Sequence, residues 1–246
     1  MSLEIKHISK QFAQDETAIL TDINLTIEKG EFVSIVGKSG CGKSTLLNLI
    51  AGLEQPTTGE ILLNGNRVTK PGADRCVMFQ ENGLFPWLNV MENVLFGMQM
   101  NGVSKTEQME RAAHYLQMVN LWEYREYPIH QISGGMRQRT ALARALSMHA
   151  DVLLMDEPFS ALDKQTSNQL REQLQSIWMK THQTIVFITH SVEEAVYLSD
   201  RVVVLSPQVR GIRDVVDISL DRPRHVYDPE FTALRHKLLD EVKGED

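Results

Sequence analysis

Short apolar runs alternate with amphipathic stretches along most of the chain. The runs are rich in β-branched or apolar residues and bounded by turns, which is typical of β-strands. Predicted strands cover residues 3–8, 18–27, 31–36, 61–63, 75–79, 152–155, 184–188 and 201–205. Predicted helices cover residues 44–51, 165–181, 192–198, about 229–242 and several stretches between 90 and 148. This order predicts an α/β fold with a parallel-sheet core, an N-terminal antiparallel β patch and an inserted α-helical subdomain at about residues 81–149, all within a single domain spanning residues 1–246.

A glycine-rich segment directly follows the predicted strand at residues 31–36. Residues 37–44 read GKSGCGKS, which fits the pattern G-x-x-x-x-G-K-[ST]. Its glycines allow successive backbone N–H groups to turn toward phosphate oxygens, at the positive end of the helix that follows. In this pattern Lys43 reaches the β- and γ-phosphates and the hydroxyl of Ser44 ligates Mg²⁺. The segment predicts a P-loop NTPase core, with ATP-binding candidates Gly37, Lys38, Ser39, Gly40, Cys41, Gly42, Lys43, Ser44 and Thr45.

Composition narrows the class of protein. The 246 residues are 42% hydrophobic and 23% charged, as in ordinary globular proteins. No apolar window reaches the 18 or so residues of a membrane span, and the N-terminus does not resemble a secretory signal. Cys41 and Cys76 are the only cysteines, too few for a disulfide framework, so we expect a cytosolic protein. A net charge of −7 argues against binding to nucleic acid.

Two more segments carry candidate chemistry. The apolar run at residues 152–155 ends in Asp156 and Glu157, where open α/β sheets place their ligands. Asp156 there would hold Mg²⁺ through its water shell, and Glu157 would position or deprotonate the attacking water. Upstream, Ser133, Gly134 and Gly135 precede a helical stretch. Ser133 is therefore a predicted N-cap, and the free N–H groups of this helix end would point at an anion.

This combination of motifs resembles the ATP-binding subunit of an ABC transporter. The resemblance extends to three single residues in the order that the family requires. Gln80 matches the Q-loop glutamine, expected near Mg²⁺ and the attacking water. His190 matches the switch histidine, expected to contact the γ-phosphate, and Phe12 matches the aromatic residue that stacks on adenine. The segment that matches the D-loop consists of Ser160, Ala161, Leu162 and Asp163.

The same resemblance implies that the protein works as a pair. Ser133, Gly134 and Gly135 would cap the γ-phosphate of ATP bound to the opposite protomer, in a homodimer or a heterodimer with a second ATPase subunit. ATP would hold the two subunits together and its hydrolysis would release them. The chain has Ile132 and Met136 where the family commonly has leucine and glutamine. Neither change removes the anion-facing backbone, so we expect activity to survive.

A further segment is predicted to face a membrane partner. Leu84, Phe85 and Trp87 are large apolar residues beside Pro86 in a predicted loop. In the family this stretch forms the groove for a short cytoplasmic helix of the membrane subunit. Alternatively, these side chains cap the core of the helical subdomain itself.

Residues 70–80, 84–88 and 222–235 resemble the nitrate, sulfonate and taurine importer group. This implies an ATPase at the cytoplasmic face of the inner membrane, with two permease subunits and an extracytoplasmic substrate-binding protein. An ABC exporter ATPase is the nearest alternative. A soluble ABC ATPase acting on DNA or ribosomes would carry long coiled coils or two cassettes. A kinase or GTPase with a P-loop would explain the glycine-rich segment but not residues 133–135 or His190.

Overall fold

The computed structural model describes residues 2–13, 17–80 and 83–243. Of Lys243 it describes only the backbone. Strands and helices alternate along the chain. The strands are β1 (Ser2–Lys10), β2 (Leu20–Glu28), β3 (Phe32–Val36), β4 (Thr58–Leu63), β5 (Asn66–Arg67), β6 (Arg75–Met78), β7 (Val152–Asp156), β8 (Thr184–Ile188), β9 (Arg201–Ser206) and β10 (Gly211–Asp217). The helices are α1 (Lys43–Ala51), α2 (Val90–Met100), α3 (Lys105–Met118), α4 (Gly134–Ser147), α5 (Lys164–Thr181), α6 (Val192–Leu198) and α7 (Pro229–Lys243), with 3-10 turns at Trp122–Tyr124 and Ile129–Gln131.

The described residues form two compact units. One contains the chain up to Gly72 together with the chain from His182, and the other runs from Ala73 to Thr181. No helix among the described residues is long and apolar enough to cross a membrane. Glu81, at which the predicted helical subdomain would begin, lies outside the described residues.

The first unit contains an antiparallel sheet in the order β2-β1-β4-β5. Ile5 of β1 pairs with Leu25 of β2 on one side and with Ile61 of β4 on the other. Alternate residues of β2 are buried, because one face of this sheet covers a core and the other meets water. This sheet is the predicted N-terminal antiparallel patch.

The first unit also contains the strands β10-β9-β3-β8 side by side. Strand β3 runs parallel to both β8 and β9, and every residue of β3 and β8 is buried. Parallel strands of this kind are covered on both faces, which explains why they read as continuous apolar runs. The rings of Phe32 and Phe187, 5.8 Å apart, pack within this core. Strand β10 and the short β5 were not predicted from the sequence.

The described residues of the second unit form the parallel pair β6 and β7 and the α-helices α2, α3, α4 and α5. Arg75 pairs with Val152 at one end of the ladder and Met78 with Met155 at the other. Helices α2, α3 and α4 account for the helical stretches predicted between residues 90 and 148, and α5 for the one at 165–181. With its parallel and antiparallel strands and its helices, the structure confirms the predicted α/β class.

Candidate functional site

The glycine-rich loop connects β3 to α1 in the first unit. A Cβ atom on Gly37, whose φ is 156°, would lie 2.4 Å from the carbonyl oxygen of Leu205 and 2.7 Å from Sγ of Cys41. Only glycine therefore fits where the chain leaves β3. Gly42 precedes the first helical residue with φ 98°, and no acidic residue lies in the first turn of α1. The positive end of α1 is thus left for an anion.

Lys43 is the first residue of α1, and its side chain folds back over the loop. Its Nζ donates hydrogen bonds to the carbonyl oxygens of Gly37 at 2.9 Å and Lys38 at 3.1 Å. The residue is only 7% exposed, so its ammonium group is held inside the loop rather than in solvent. Ser39, Gly40 and Ser44 are exposed beside it. The loop therefore combines a helix N-terminus, a lysine ammonium held by two carbonyl groups, and solvent-exposed serine residues.

His190 follows β8 at the same sheet edge as the glycine-rich loop. Strands β3 and β8 are parallel neighbours, and the N–H of Thr189 donates to the carbonyl oxygen of Ile35 at 3.3 Å. The hydroxyl of Thr189 donates to Oε2 of Glu194 at 2.6 Å and accepts the N–H of Ser191 at 3.0 Å. These bonds fix the backbone on both sides of His190, whose imidazole is exposed.

Phe12, the predicted adenine-stacking residue, lies just beyond β1. Its ring is half-buried, and Nζ of Lys10 lies 4.6 Å from its centroid. That ammonium also pairs with Oε2 of Glu54 at 3.0 Å. The ring face attracts this cation, so Lys10 helps to hold the Phe12 ring in place. The stacking role of Phe12 stays a prediction.

The carboxylate pair lies in the second unit, at the carboxyl end of β7. The four residues before Asp156 are buried and Asp156 itself is half-buried. Glu157 adopts a left-handed backbone with φ 45°, unusual for a residue with a side chain. Its carbonyl oxygen accepts the backbone N–H of Ser160 at 3.2 Å and the hydroxyl of Ser160 at 2.9 Å. The chain thus turns sharply after β7, and the two carboxylates lie at that turn.

Gln80 contacts the same turn. It lies two residues beyond the end of β6, and its Nε2 donates to Oγ of Ser160 at 3.1 Å. Two residues that were predicted separately, as the Q-loop glutamine and as the first D-loop residue, are therefore joined directly. No local sequence signal predicts this bond, because the two residues are 80 positions apart.

Ser133 is the N-cap of α4, as predicted. Its backbone is extended and its Oγ accepts the N–H of Met136 at 3.2 Å. No acidic residue lies in the first turn of α4, so its remaining N–H groups face no carboxylate of their own turn. The 133–135 segment therefore has the features of an anion-facing helix end.

The start of α4 lies against the D-loop segment of the same chain, because a Cβ atom on Gly134 would lie 3.8 Å from Cδ2 of Leu162. Asp163 accepts the N–H of Thr166 at 3.0 Å and its hydroxyl at 2.7 Å, which caps α5. The N–H of Thr166 holds the pKa of the Asp163 carboxyl below its ordinary value. The cap is therefore present at neutral pH and is lost as pH falls through that lowered pKa. Sequence reasoning missed Thr166, although an acid three residues before it is a recognisable cap spacing.

Gly134 and Gly135 of the 133–135 segment differ in the room around them, which gives a prediction. A Cβ on Gly135 would lie 2.6 Å from Cγ2 of Thr166, whereas the nearest atoms to one on Gly134 are 3.8 Å away. Gly135→Ala should therefore lower the free energy of unfolding by about 1–3 kcal/mol, through overpacking. Gly134→Ala, the matched control, should be neutral or slightly stabilising. Thermal unfolding of both variants measures the difference.

A rescue variant tests the cause of that difference. Thr166→Ser removes the methyl group and keeps the hydroxyl bonded to Asp163, so combining it with Gly135→Ala should restore most of the lost stability. Equal stability of the two alanine variants would contradict the steric argument.

The three predicted permease-contact residues lie between β6 and α2. Phe85 is half-buried, with its ring centroid 4.3 Å from that of Phe96 and 5.5 Å from that of Trp87. Leu84 is also half-buried, and Trp87 is 75% exposed. The fully buried Asn93 anchors the loop, since it accepts the N–H of Phe85 at 2.8 Å and donates to its carbonyl at 3.2 Å. Phe85 thus contributes to packing, whereas Trp87 is presented to solvent.

The candidate residues divide between the two units. The glycine-rich loop, Phe12 and His190 belong to the first unit. Gln80, the carboxylate pair, the 133–135 segment and the D-loop segment belong to the second. Within each unit the structure brings together groups from distant parts of the sequence. In the first these are residues 37–45 and His190, and in the second Gln80, Glu157 and Ser160.

Comparison with known proteins identifies the family. A family model described as ABC transporter matches residues 20–160. The chain is 49% identical to a nitrate import ATP-binding protein of Synechocystis, over 89% of this chain and 84% of that protein. It is 43% identical to a taurine import ATP-binding protein of Pseudomonas aeruginosa, over 97% of this chain and 95% of that protein. A solved dimeric ATP-binding cassette, MJ0796 bound to ADP and Pi, superposes with a TM-score of 0.75 at 29% identity, covering 89% of this chain and all of that one. The chain belongs to the ABC transporter family and is one of its ATP-binding ATPases.

Proposed function

We propose that this protein is the ATP-hydrolysing subunit of an ABC importer for a small anion such as nitrate, a sulfonate or taurine. The observation that carries the proposal is the identity of 49% and 43% to nitrate and taurine import ATP-binding proteins, each over most of both chains. The chain would act as one ABC ATP-binding domain, with a helical subdomain at about residues 81–149 and a C-terminal helix at about residues 229–242.

The glycine-rich loop is the proposed cradle for the ATP phosphates. Its fit is supported by the close approach at Gly37, the acid-free start of α1 and the ammonium of Lys43 held within the loop. Lys43 would bind the β- and γ-phosphates, with the backbone of the other loop residues around them. Phe12 would stack on adenine. These assignments cover Lys38, Ser39, Gly40, Cys41, Gly42, Ser44 and Thr45.

Ser44, Gln80 and Asp156 are the proposed Mg²⁺ group. A hydroxyl, an amide and a carboxylate together supply the hard oxygen atoms that Mg²⁺ prefers, and Asp156 would act through water. Bound Mg²⁺ neutralises charge that develops on the phosphates during transfer. Glu157 would hold and deprotonate the attacking water, and His190 would donate to the γ-phosphate. Gln80 would orient water beside the metal.

ATP would be sandwiched between two copies of the chain, or between this chain and a second ATPase subunit. The acid-free, serine-capped start of α4 supports a cap on the partner's γ-phosphate by Ser133, Gly134 and Gly135. The solved cassette MJ0796 lends further support, because it is a dimer in a post-hydrolysis state with ADP and Pi bound. The D-loop, residues 160–163, would lie beside this cap.

Leu84, Phe85 and Trp87 are the proposed contact for the membrane subunit. The dimer would sit at the cytoplasmic face of the inner membrane against two permease subunits, supplied by an extracytoplasmic binding protein, with no nucleic acid involved. The 75% exposure of Trp87 supports this, because large exposed aromatic residues often anchor interfaces.

The exposure difference between Trp87 and Phe85 gives a sharp test. Trp87→Ala should weaken the affinity for the permease by about 2 kcal/mol, which is about a thirtyfold rise in Kd. Co-purification with the permease should fall accordingly, while the melting temperature and the basal ATPase rate stay unchanged. Phe85→Ala should also lower stability, because its ring packs on Phe96. Met100→Ala is the control, since Met100 is 69% exposed and lies in the same unit. Normal permease binding by the Trp87 variant would exclude this residue from the contact.

Transport itself is tested by reconstitution. Liposomes that carry this protein and its permease, with ATP at the cytoplasmic side in the lumen and the binding protein outside, should be used. They should accumulate labelled nitrate, a sulfonate or taurine. Movement in the opposite direction would favour an exporter. Failure to stimulate ATPase with any loaded binding protein would contradict the importer assignment.

A further inference from the structure

Three residues near the end of β7 form one hydrogen-bonded chain within the second unit. Nε2 of Gln80 donates to Oγ of Ser160 at 3.1 Å, and that hydroxyl donates to the carbonyl oxygen of Glu157 at 2.9 Å. The backbone N–H of Ser160 donates to the same carbonyl at 3.2 Å. The left-handed backbone of Glu157 accompanies this turn. One serine hydroxyl therefore joins the proposed water-orienting glutamine to the backbone of the proposed catalytic carboxylate.

The protons in this chain fix the orientation of the Gln80 amide. A serine hydroxyl has one proton to donate, and Ser160 gives it to the carbonyl of Glu157. Its oxygen can then only accept from Gln80. Of the two ends of a glutamine amide, only the NH₂ end donates. Ser160 thus binds Nε2 and leaves Oε1 as the end of the amide that is available to a metal or to water. Among the described residues, this hydroxyl is the hydrogen-bond partner that distinguishes the two ends of the amide.

We propose that Ser160 is a positioning residue that acts through Gln80, by selecting the amide orientation in which Oε1 can serve as the oxygen ligand. The inference rests on the proposed metal role of Gln80. Hard cations take oxygen and not amide nitrogen, so an amide turned the other way contributes no ligand. The role differs from that of a dimer contact, because the three residues belong to one chain.

Ser160→Ala tests the inference with little disturbance of the turn. Alanine keeps the backbone N–H that donates to Glu157, and residue 160 is exposed, so the melting temperature should change little. The full chain with a non-hydrolysable ATP analogue should bind Mn²⁺ about three- to tenfold more weakly, as expected for one lost hydrogen bond. Electron paramagnetic resonance of free Mn²⁺ measures this. Thr181→Val, which deletes another hydroxyl-to-carbonyl bond in the same unit, should leave Mn²⁺ affinity unchanged.

A double-mutant cycle separates the inference from the proposed function. Gln80→Ala should weaken Mn²⁺ binding by itself, and adding Ser160→Ala should then have no further effect. The inference is wrong, while the metal role of Gln80 stands, if Gln80→Ala weakens Mn²⁺ binding and Ser160→Ala does not. The same conclusion follows if the fold-losses of Mn²⁺ affinity in the two single variants multiply in the double variant. If Gln80→Ala has no effect, the metal role itself is wrong and the inference fails with it.

Discussion

Glu157→Gln is expected to reduce ATP turnover by about 10²- to 10⁴-fold, the usual contribution of a general base, while ATP binding persists. Glutamine has the shape of glutamate but cannot take a proton from water. The hydrogen bonds that shape the turn use the main-chain carbonyl of residue 157, which the substitution preserves. The lower turnover should therefore come from the missing base and not from a change in the structure of the turn.

The same variant should accumulate an ATP-bound dimer, because the nucleotide that joins the protomers is no longer consumed. Size-exclusion chromatography with and without Mg-ATP measures the dimer, and phosphate release measures turnover. Glu172→Gln is the matched control, since it makes the same change at an exposed position on α5 and should behave as the parent protein. Near-normal hydrolysis by Glu157→Gln would remove Glu157 from the proposed role.

Most strands and helices could be predicted because their signals are local. Strands β3 and β8 are buried along their whole length and read as unbroken apolar runs. Strand β10 could not be predicted in this way. Arg213 and Asp214 interrupt its apolar residues, and its ladder with β9 has a register shift between Ile212 and Asp214. Its pairing with a neighbour therefore defines it more than its own sequence does.

The candidate site shows the same division between local and long-range information. The N-cap role of Ser133 was predictable, because a serine directly before a helical run is a local signal. The bond between Gln80 and Ser160 was not, since it depends on where two distant loops end. Likewise, no sequence pattern distinguishes Gly134 from Gly135. The approach of the Thr166 methyl group makes only the second intolerant of a side chain.

Ser133→Arg is expected to abolish both dimerisation and hydrolysis while nucleotide affinity of the isolated chain stays within about twofold. The proposed phosphate cradle is residues 37–45, which the substitution does not change. At residue 133 a long cation would occupy the space proposed for the partner's γ-phosphate, so the protomers could not close on ATP. Equilibrium binding of a fluorescent nucleotide, chromatography with Mg-ATP and phosphate release measure the three quantities separately.

Loss of the helix cap must be separated from loss of the dimer contact. Oγ of Ser133 accepts the N–H of Met136, so replacing Ser133 costs about 1 kcal/mol of stability whatever its role in the dimer. Ser104 caps α3 in the same way, through the N–H of Glu107 at 3.3 Å, and is equally open to solvent. Ser104→Arg should therefore match Ser133→Arg in melting temperature but keep dimerisation and turnover. If the Ser133 variant also dimerises and hydrolyses ATP normally, the start of α4 does not cap nucleotide in the opposite protomer.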